Sequence, residues 1–208
     1  MMTHRRIIGL TGGIATGKST VAHYLATHHH LPILDADIYA REAVAMGSPV
    51  YDAIAQRYGS DLFLNDGSLN RKQLGDIIFN NAEERTWLEQ QIHPYVRDRF
   101  AEAMQQPYQT IVCVIPLLFE AGLTHLVTEI WVVVCSPQQQ LARLMQRNQL
   151  TREQALARIN SQMSLAEKAS RADVVLDNSS TPEALLQQVD AALSSTIDLL
   201  QESQTPSD

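Results

Sequence analysis

The chain has 208 residues, of which 45% are hydrophobic and 19% charged, and its formal net charge is −7. This length can bury a full-sized core, but no apolar run approaches the roughly 20 residues that a membrane-spanning helix needs. The negative charge argues against broad binding to a nucleic-acid backbone. No secretory signal precedes the first predicted strand, so we expect a cytoplasmic protein that binds neither membranes nor nucleic acids.

The first predicted element is a short strand that leads into a phosphate-binding loop. Residues 7–10 are an apolar run typical of a buried parallel strand. Residues 12–19 fit G-x-x-x-x-G-K-[ST], and apolar residues recur at helical spacing from residue 21. Because a strand precedes the motif and a helix follows it, the pattern predicts a nucleotide site rather than a glycine-rich turn.

The residue types of the loop suit a triphosphate. Its glycines allow backbone conformations that a Cβ would block, and its N–H groups form an anion nest at a helix N-terminus. Lys18 is expected to reach the β- and γ-phosphates of ATP, and the Ser19 hydroxyl to ligate Mg²⁺. The predicted nucleotide contacts in the loop are Gly12, Gly13, Ala15, Thr16, Gly17, Lys18, Ser19 and Thr20.

Two acids follow the second predicted strand. This strand covers residues 31–34 and is followed directly by Asp35 and Asp37. They would lie at the sheet edge where ligands bind in parallel α/β folds. The alternative is that Asp37 is the N-cap of a helix predicted over residues 38–45. The two interpretations are compatible, because a cap holds the side chain in place.

Residues 38–106 contain helical patterns and no convincing buried strand. Further helices are predicted over 50–58, 71–79 and 82–105, the last interrupted near Pro94. The segment is far longer than an ordinary connection between strands. We therefore expect a helical subdomain that holds a substrate.

The third predicted strand, residues 110–115, ends at Pro116 without the acid that phosphate-loop enzymes often carry there. Asp35 and Asp37 are therefore the better candidates for the metal and acceptor side of the site.

The fourth predicted strand, residues 129–135, precedes two capped helices. The first carries Arg143 and Arg147, four residues apart and therefore on one face. A solvated, salt-bridged face is the alternative, but acids are scarce there, so the pattern favours arginines directed at phosphates.

A fifth strand is predicted over residues 173–177, and a final helix begins at residue 181 and runs to about residue 200. The alternation of strands and helices predicts an α/β protein with a mostly parallel, five-stranded sheet. A phosphate loop, paired acids, a helical insertion and an arginine-bearing lid together indicate a kinase for a small acceptor, in which the lid excludes water.

Several short motifs accompany the phosphate loop. They are Asp35-Ala-Asp37 with Ala40-Arg41, Asp66-Gly-Ser-Leu, His93-Pro94, Pro116-Leu-Leu-Phe-Glu120, Arg143 with Arg147, and Asp177-Asn178. In this combination, and over nearly the whole chain, the sequence resembles the dephospho-CoA kinase family.

The resemblance implies a three-layer P-loop NTPase fold with a nucleotide-binding core formed by residues 1–37, 107–136 and 166–200. It implies a helical dephospho-CoA-binding insertion (38–106) and a helical lid (137–165), and we expect residues 201–208 to form a disordered tail.

The implied reaction is phosphorylation of the ribose 3′-hydroxyl of dephospho-CoA by ATP, giving coenzyme A and ADP in the final step of coenzyme A biosynthesis. A monomer is expected, with oligomerisation left open.

The resemblance also assigns roles. Asp37 would act as base and orient the acceptor, Asp35 would support it or a metal-bound water, and Lys18 and Arg143 would complete the catalytic set. The expected nucleotide contacts outside the loop are Arg147, Asp177 and Asn178. The expected acceptor contacts are Asp35, Asp37, Arg41, His93, Leu118 and Glu120. Ala15 and Thr16 stand where relatives often have Gly and Ser, a change that we expect the loop to tolerate.

Three other functions are compatible with parts of this pattern. A P-loop GTPase is disfavoured because the chain contains neither Asp-x-x-Gly nor Asn-Lys-x-Asp. A nucleotide-binding scaffold would have little use for acids aimed at an acceptor. Another small-molecule kinase of the same architecture differs only in its acceptor, so a substrate assay separates the two.

Overall fold

The computed structural model describes residues 5–202, and these divide into two units. Residues 5–34 and 108–202 form a sheet unit, and residues 35–107 form a helical unit. In chain order the elements are β1 (Arg6–Gly12), α1 (Lys18–Thr27), β2 (Ile33–Asp35), α2 (Ala36–Ala43), α3 (Pro49–Tyr58), α4 (Arg71–Asn80), α5 (Ala82–Met104), β3 (Thr110–Val114), β4 (Glu129–Val134), α6 (Pro137–Asn148), α7 (Arg152–Asn160), α8 (Leu165–Ser170), β5 (Val174–Asp177) and α9 (Pro182–Glu202), with 3₁₀ turns at Ser60–Leu62 and Leu123–Leu126.

The sheet contains five parallel strands in the order β2-β3-β1-β4-β5, with helices on both sides. β1 lies in the centre, where Ile8 aligns with Val112 of β3 and with Glu129 of β4. The prediction of a five-stranded parallel α/β sheet is confirmed. Because β1 is central, the loop that follows it is flanked by the ends of β3 and β4.

Aliphatic side chains of β1 are buried between the sheet and its helices. On one face, Ile8 and Leu10 pack with Val21 of α1 and Leu185 of α9 in a single hydrophobic cluster. The burial follows from the alternation of side chains along a strand, and each buried aliphatic side chain contributes about 1.5–3 kcal/mol. This packing fixes the end of β1 relative to the start of α1.

The start of β1 is joined to the final helix by Arg6, which is 7% exposed. Its Nη1 and Nη2 donate to the carbonyl oxygens of Leu193 (3.1 Å) and Ala192 (3.2 Å) in α9. Its Nε pairs with Glu129 Oε1 of β4 at 2.5 Å, and its guanidinium lies 5.7 Å from the ring centroid of Trp131. One buried cation therefore links β1, β4 and α9.

The helical unit has its own core. Helices α2 to α5 and the Ser60–Leu62 turn surround a second cluster that includes Ala43, Ile54, Leu74 and Leu88. Phe63 and Leu69 form an isolated antiparallel bridge around the turn at residues 65–67. The cluster lies wholly within residues 35–107.

Two details of the helical unit differ from the predictions. α2 begins at Ala36, two residues earlier than predicted, and its N-cap is Asp35 rather than Asp37. α5 is one continuous helix in which Pro94 lies in the interior. Proline removes one backbone hydrogen bond, but the packing of α5 against α2 and α4 holds the remaining turns together.

The predicted disordered tail is only partly covered. Gln201 and Glu202 are the last residues of α9, and residues 203–208 lie outside the described part of the chain. Among residues 5–202, no helix is both long and apolar enough to span a bilayer.

Candidate active site

The phosphate loop connects the end of β1 to the start of α1 and depends on two glycines. Gly12 and Gly17 have φ of +146° and +109°. A Cβ on Gly12 would lie 2.4 Å from the carbonyl oxygen of Val133, and one on Gly17 would lie 2.2 Å from Asn178 Nδ2. Both the backbone conformation and the close neighbours therefore require glycine at these positions.

Lys18 is the first residue of α1, and its side chain folds over the loop. Its Nζ donates to the carbonyl oxygens of Gly12 (3.1 Å) and Gly13 (2.6 Å). Ser19 and Thr20 follow in the first turn of α1 and are exposed. The N-terminus of α1, with its positive dipole end, is thus combined with a lysine, the arrangement that binds phosphate.

The middle of the loop contains a non-glycine residue in the left-handed region. Ala15 has φ of +60°. The Thr16 side chain next to it is buried, and its Oγ1 donates to the carbonyl oxygen of Gly13 at 3.0 Å. An alanine tolerates this conformation less well than glycine does.

Side-chain amides from distant segments hold the loop backbone. Asn178 Nδ2, after β5, donates to the carbonyl oxygen of Thr16 at 2.8 Å. Gln140 Nε2 donates to the carbonyl oxygen of Ile14 at 2.9 Å, and Gln162 Oε1 accepts from the N–H of Ile14 at 2.9 Å. Neither glutamine was among the predicted site residues.

The two predicted lid arginines lie in different environments. Arg143 is partly buried, and its Nη2 donates to the carbonyl oxygen of Asn178 at 3.2 Å. Arg147 is exposed, and its Nε donates to Asn148 Oδ1 at 2.9 Å. Asp177 Oδ1 accepts from the N–H of Ser179 at 2.8 Å. Arg143 is therefore placed beside the segment that anchors the loop at Thr16.

The segment after β3 carries an ion pair that sequence analysis missed. The Lys168 side chain is fully buried, and its Nζ lies 2.8 Å from Glu120 Oε1 and 3.2 Å from the carbonyl oxygen of Pro116. Burial disfavours ionisation of Glu120, but hydrogen bonds from Lys168 and from the backbone N–H groups of Glu120 and Met163 lower its pKa overall.

Leu118 is also fully buried, and a Cβ on Gly9 would lie 3.2 Å from its Cδ2. Direct contact of Leu118 with a substrate stays a prediction.

In the helical unit, the predicted acceptor residues lie at and near one cavity. Asp35 Oδ1 accepts from the N–H groups of Asp37 (2.8 Å) and Ile38 (3.3 Å) and so caps α2. Asp37, in the first turn, and Arg41 line a cavity of about 400 Å³. His93 is exposed on α5 and is not among its lining residues.

The same cavity contains a second arginine. Arg71 also lines it, and its Nη2 donates to the carbonyl oxygen of Arg41 at 3.3 Å. Between the charged groups the wall is apolar and is formed by Ala40, Val44, Leu69, Leu74, Gly75, Ile78, Leu88 and Ile92. Two cations and one acid at an apolar cleft suit a long ligand with an anionic group.

A sequence profile described as dephospho-CoA kinase matches residues 6–183. The chain belongs to this family. It is 69% identical over 190 residues to a dephospho-CoA kinase of Trichormus variabilis, covering 91% of this chain and 97% of that protein. It is 61% identical over 177 residues to one of Synechocystis sp., covering 84% and 88%. The predicted family, kinase class and P-loop fold are thereby confirmed.

Solved structures agree with the family. Dephospho-CoA kinase from Campylobacter jejuni superposes with a TM-score of 0.67 at 29% identity, covering 90% of this chain and 95% of that chain. The crystal structure of TT1252 from Thermus thermophilus gives 0.78 at 33% identity, covering 92% and 98%. A shikimate kinase from Bacteroides thetaiotaomicron, at 14% identity and a TM-score of 0.52 over 91% and 96% of the two chains, shares the fold.

Proposed function

We propose that the chain transfers the γ-phosphoryl group of ATP to the ribose 3′-hydroxyl of dephospho-CoA, giving coenzyme A and ADP. The observation that carries this proposal is a complete phosphate loop, with Lys18 folded over it, in a chain that matches the dephospho-CoA kinase family over residues 6–183. This would be the final step of coenzyme A biosynthesis.

The sheet unit would bind the nucleotide. Backbone N–H groups of residues 12–20 would surround the phosphates, and Lys18 would exchange its two loop carbonyls for phosphate oxygens. Asp177 and Asn178 would border the adenine. Support for this placement comes from Asn178, which already contacts the loop at Thr16.

The residues at the loop fit Mg²⁺. Mg²⁺ keeps several waters and takes few protein ligands besides phosphate oxygens, so the exposed Ser19 hydroxyl is a sufficient donor. Within residues 5–202 no cluster of three His, Cys, Asp or Glu side chains is arranged to hold a metal, which is consistent with a site built on phosphates. When bound, Mg²⁺ would supply charge neutralisation. Asp35 is proposed to contact it through a water, since both capping bonds use Oδ1 and leave Oδ2 outside the cap.

The helical unit would bind the acceptor. Dephospho-CoA has a pyrophosphate and a long, largely uncharged pantetheine arm, and the cavity at Asp37 combines Arg41 and Arg71 with an apolar wall. Asp37 would orient the ribose hydroxyl and accept its proton. His93 and Glu120 are proposed as further acceptor contacts.

Residues 137–165 would form the lid. Arg143 and Arg147 would bind the transferring phosphates, and exclusion of water would let transfer prevail over ATP hydrolysis. The transition state of phosphoryl transfer is loose, with charge spread over the transferring oxygens. Positioning and electrostatic stabilisation should therefore contribute more than proton abstraction.

The test is ADP formation with and without dephospho-CoA, with the product identified by its mass. We expect rapid ADP release only with dephospho-CoA and a product heavier by one phosphoryl group. Adenosine, AMP and shikimate serve as competing acceptors. Faster phosphorylation of any of these would contradict the proposed acceptor, and ADP release independent of acceptor would contradict a kinase.

We further propose a cytoplasmic location, a monomer and no nucleic-acid partner. The net charge of −7 supports the last of these.

A further inference from the structure

Both polar backbone groups of Ile14 are bound by glutamine side chains. Gln140, on α6, is 5% exposed and donates from Nε2 to the Ile14 carbonyl at 2.9 Å. Gln162, between α7 and α8, accepts the Ile14 N–H on Oε1 at 2.9 Å. The orientation of each amide follows from its partner, because an N–H needs an acceptor and a carbonyl needs a donor.

The neighbouring glycine allows one of these bonds to form. A Cβ on Gly13 would lie 2.6 Å from Gln140 Nε2 and 2.9 Å from Leu165 Cδ2. Gly13 does not have a left-handed backbone. Its absent side chain is therefore explained by the space that the Gln140 amide occupies.

Ala15, the next residue after Ile14, has φ of +60°. Thr16, on its other side, is fixed through its carbonyl by Asn178 and through its hydroxyl by Gly13. A side chain raises the cost of the left-handed region, and such conformations persist where surrounding contacts impose them. The contacts on Ile14 and Thr16 impose this one from both sides.

We propose that Gln140 and Gln162 are positioning residues that hold Ala15 in its left-handed conformation and so keep the loop N–H groups directed at the triphosphate. Both act through the Ile14 backbone rather than on the nucleotide itself. The inference rests on the proposed function insofar as the loop binds ATP. It does not depend on which acceptor is used.

The experiment is a double-substitution cycle. Because Gln162 is only partly buried, Gln162→Ala carries the main test, with Gln140→Ala beside it. For each variant, we expect the KM for ATP to rise about five- to tenfold, because this change corresponds to the free energy of one hydrogen bond. The KM for dephospho-CoA should change less than twofold. The exposed residues Gln138 and Asn160 provide matched controls, Gln138→Ala and Asn160→Ala.

The decisive comparison is the Ala15→Gly background. Glycine adopts the left-handed region without the steric cost, so Gln162→Ala should raise the KM for ATP only about twofold there. Equal losses in both backgrounds would overturn the proposal, as would no loss in the original chain. A glutamine variant that unfolds in the original chain but folds in the Ala15→Gly background would support it. Unfolding in both backgrounds would contradict it.

Binding of a non-hydrolysable ATP analogue, measured by calorimetry, separates this proposal from the choice of acceptor. The same pattern of weakened affinity and rescue is expected without any acceptor present. If calorimetry shows the pattern while dephospho-CoA is not phosphorylated, the proposed function fails and the positioning role stands. If turnover is normal and the affinity is unchanged by Gln162→Ala, the positioning role fails.

Discussion

Asn178 follows β5 and reaches the phosphate loop with its side chain. Its Nδ2 binds the carbonyl of Thr16 and occupies the space above Gly17, where a Cβ would lie 2.2 Å away. Its own carbonyl accepts from Arg143 at 3.2 Å. A residue predicted to border the adenine therefore also supports the phosphate loop, and Arg143 supports Asn178.

Three substitutions rank the proposed catalytic residues. We expect Lys18→Ala and Arg143→Ala each to lower kcat at least as much as Asp37→Asn, because charge stabilisation outweighs proton abstraction in a loose transition state. Loss of a general base typically costs about 10²–10⁴ in rate. Single-turnover measurement with saturating dephospho-CoA checks the order.

Arg152, exposed at the start of α7, provides the control, since Arg152→Ala should leave kcat within about twofold. A defect in Asp37→Asn that far exceeds both others would reverse the ranking. It would make the carboxylate the main contributor to catalysis.

Among single residues, the sequence identified those site residues whose partners lie close to them along the chain. Lys18 and the glycines are recognised because the loop is one contiguous motif. Gln140 and Lys168 were missed because their partners lie far along the chain, at Ile14 and at Glu120. Nothing near a lone glutamine or lysine in the sequence indicates such a contact.

Among the elements, α3 and α5 are joined by a polar cluster. Arg57 donates from Nε and Nη2 to the two carboxylate oxygens of Glu84 at 2.7 and 2.8 Å, and its guanidinium lies 4.5 Å from the ring centroid of Trp87. The hydroxyl of Tyr58 donates to Glu84 as well. The hydrogen bonds from Arg57 and Tyr58 lower the pKa of Glu84 to about 2, while burial and Glu84 raise the pKa of Tyr58 to about 12.

This cluster predicts a pH-dependent stability difference. A carboxylate with a lowered folded-state pKa stabilises the fold above its unfolded pKa of about 4.3, and the contribution is lost as the pH falls toward 2. Glu84→Gln should therefore be less stable than the unsubstituted chain at pH 7, and the difference should shrink between about pH 4.5 and 2. Urea unfolding at pH 7, 5, 4 and 3 measures this.

The exposed Glu89 on the same helix serves as the comparison. Glu89→Gln should leave stability nearly unchanged at pH 7. A Glu84→Gln deficit that stays constant down to pH 3 would show that the carboxylate charge is not what stabilises the α3–α5 contact.

Helix positions were largely predictable, and the predicted caps of α6 and α7 at Ser136 and Thr151 are confirmed, but the continuity of α5 and the cap of α2 were not predicted. The amphipathic spacing placed α3 and α4 within one residue of their observed ends. Pro94 suggested an interruption of α5, because propensity treats a helix in isolation. Tertiary packing on α2 and α4 outweighs the one lost hydrogen bond. The Asp35 cap was missed because two nearby acids compete for the same position.

For the molecule as a whole, each unit has its own hydrophobic cluster and its own tryptophan. Trp131 lies in the cluster of the sheet unit, and Trp87 packs against that of the helical unit.

The sequence predicted five parallel strands but not their order, because the order depends on which strands meet in space. The central position of β1 is known only from the structure.

Separate cores predict separable unfolding. Ile54 is fully buried in the helical unit, and Ile54→Ala should lower the free energy of unfolding of that unit by about 2–5 kcal/mol. In a Trp131→Phe chain, the Trp87 fluorescence transition should move to lower denaturant. In a Trp87→Phe chain, the Trp131 transition should move less.

Leu10→Ala provides the reciprocal substitution, because Leu10 is fully buried in the sheet-unit cluster. It should shift mainly the Trp131 transition. If either substitution moves both transitions equally, the two units unfold as one cooperative block.

The bonds from Arg6 to Ala192 and Leu193 have a practical meaning for anyone shortening this chain for crystallisation. A stop codon placed before Leu193 would remove one acceptor of the Arg6 guanidinium. This guanidinium is almost fully buried, at the start of the strand that leads into the phosphate loop. A chain that ends before Leu193 should therefore be less stable at the start of β1 than one that keeps this part of α9.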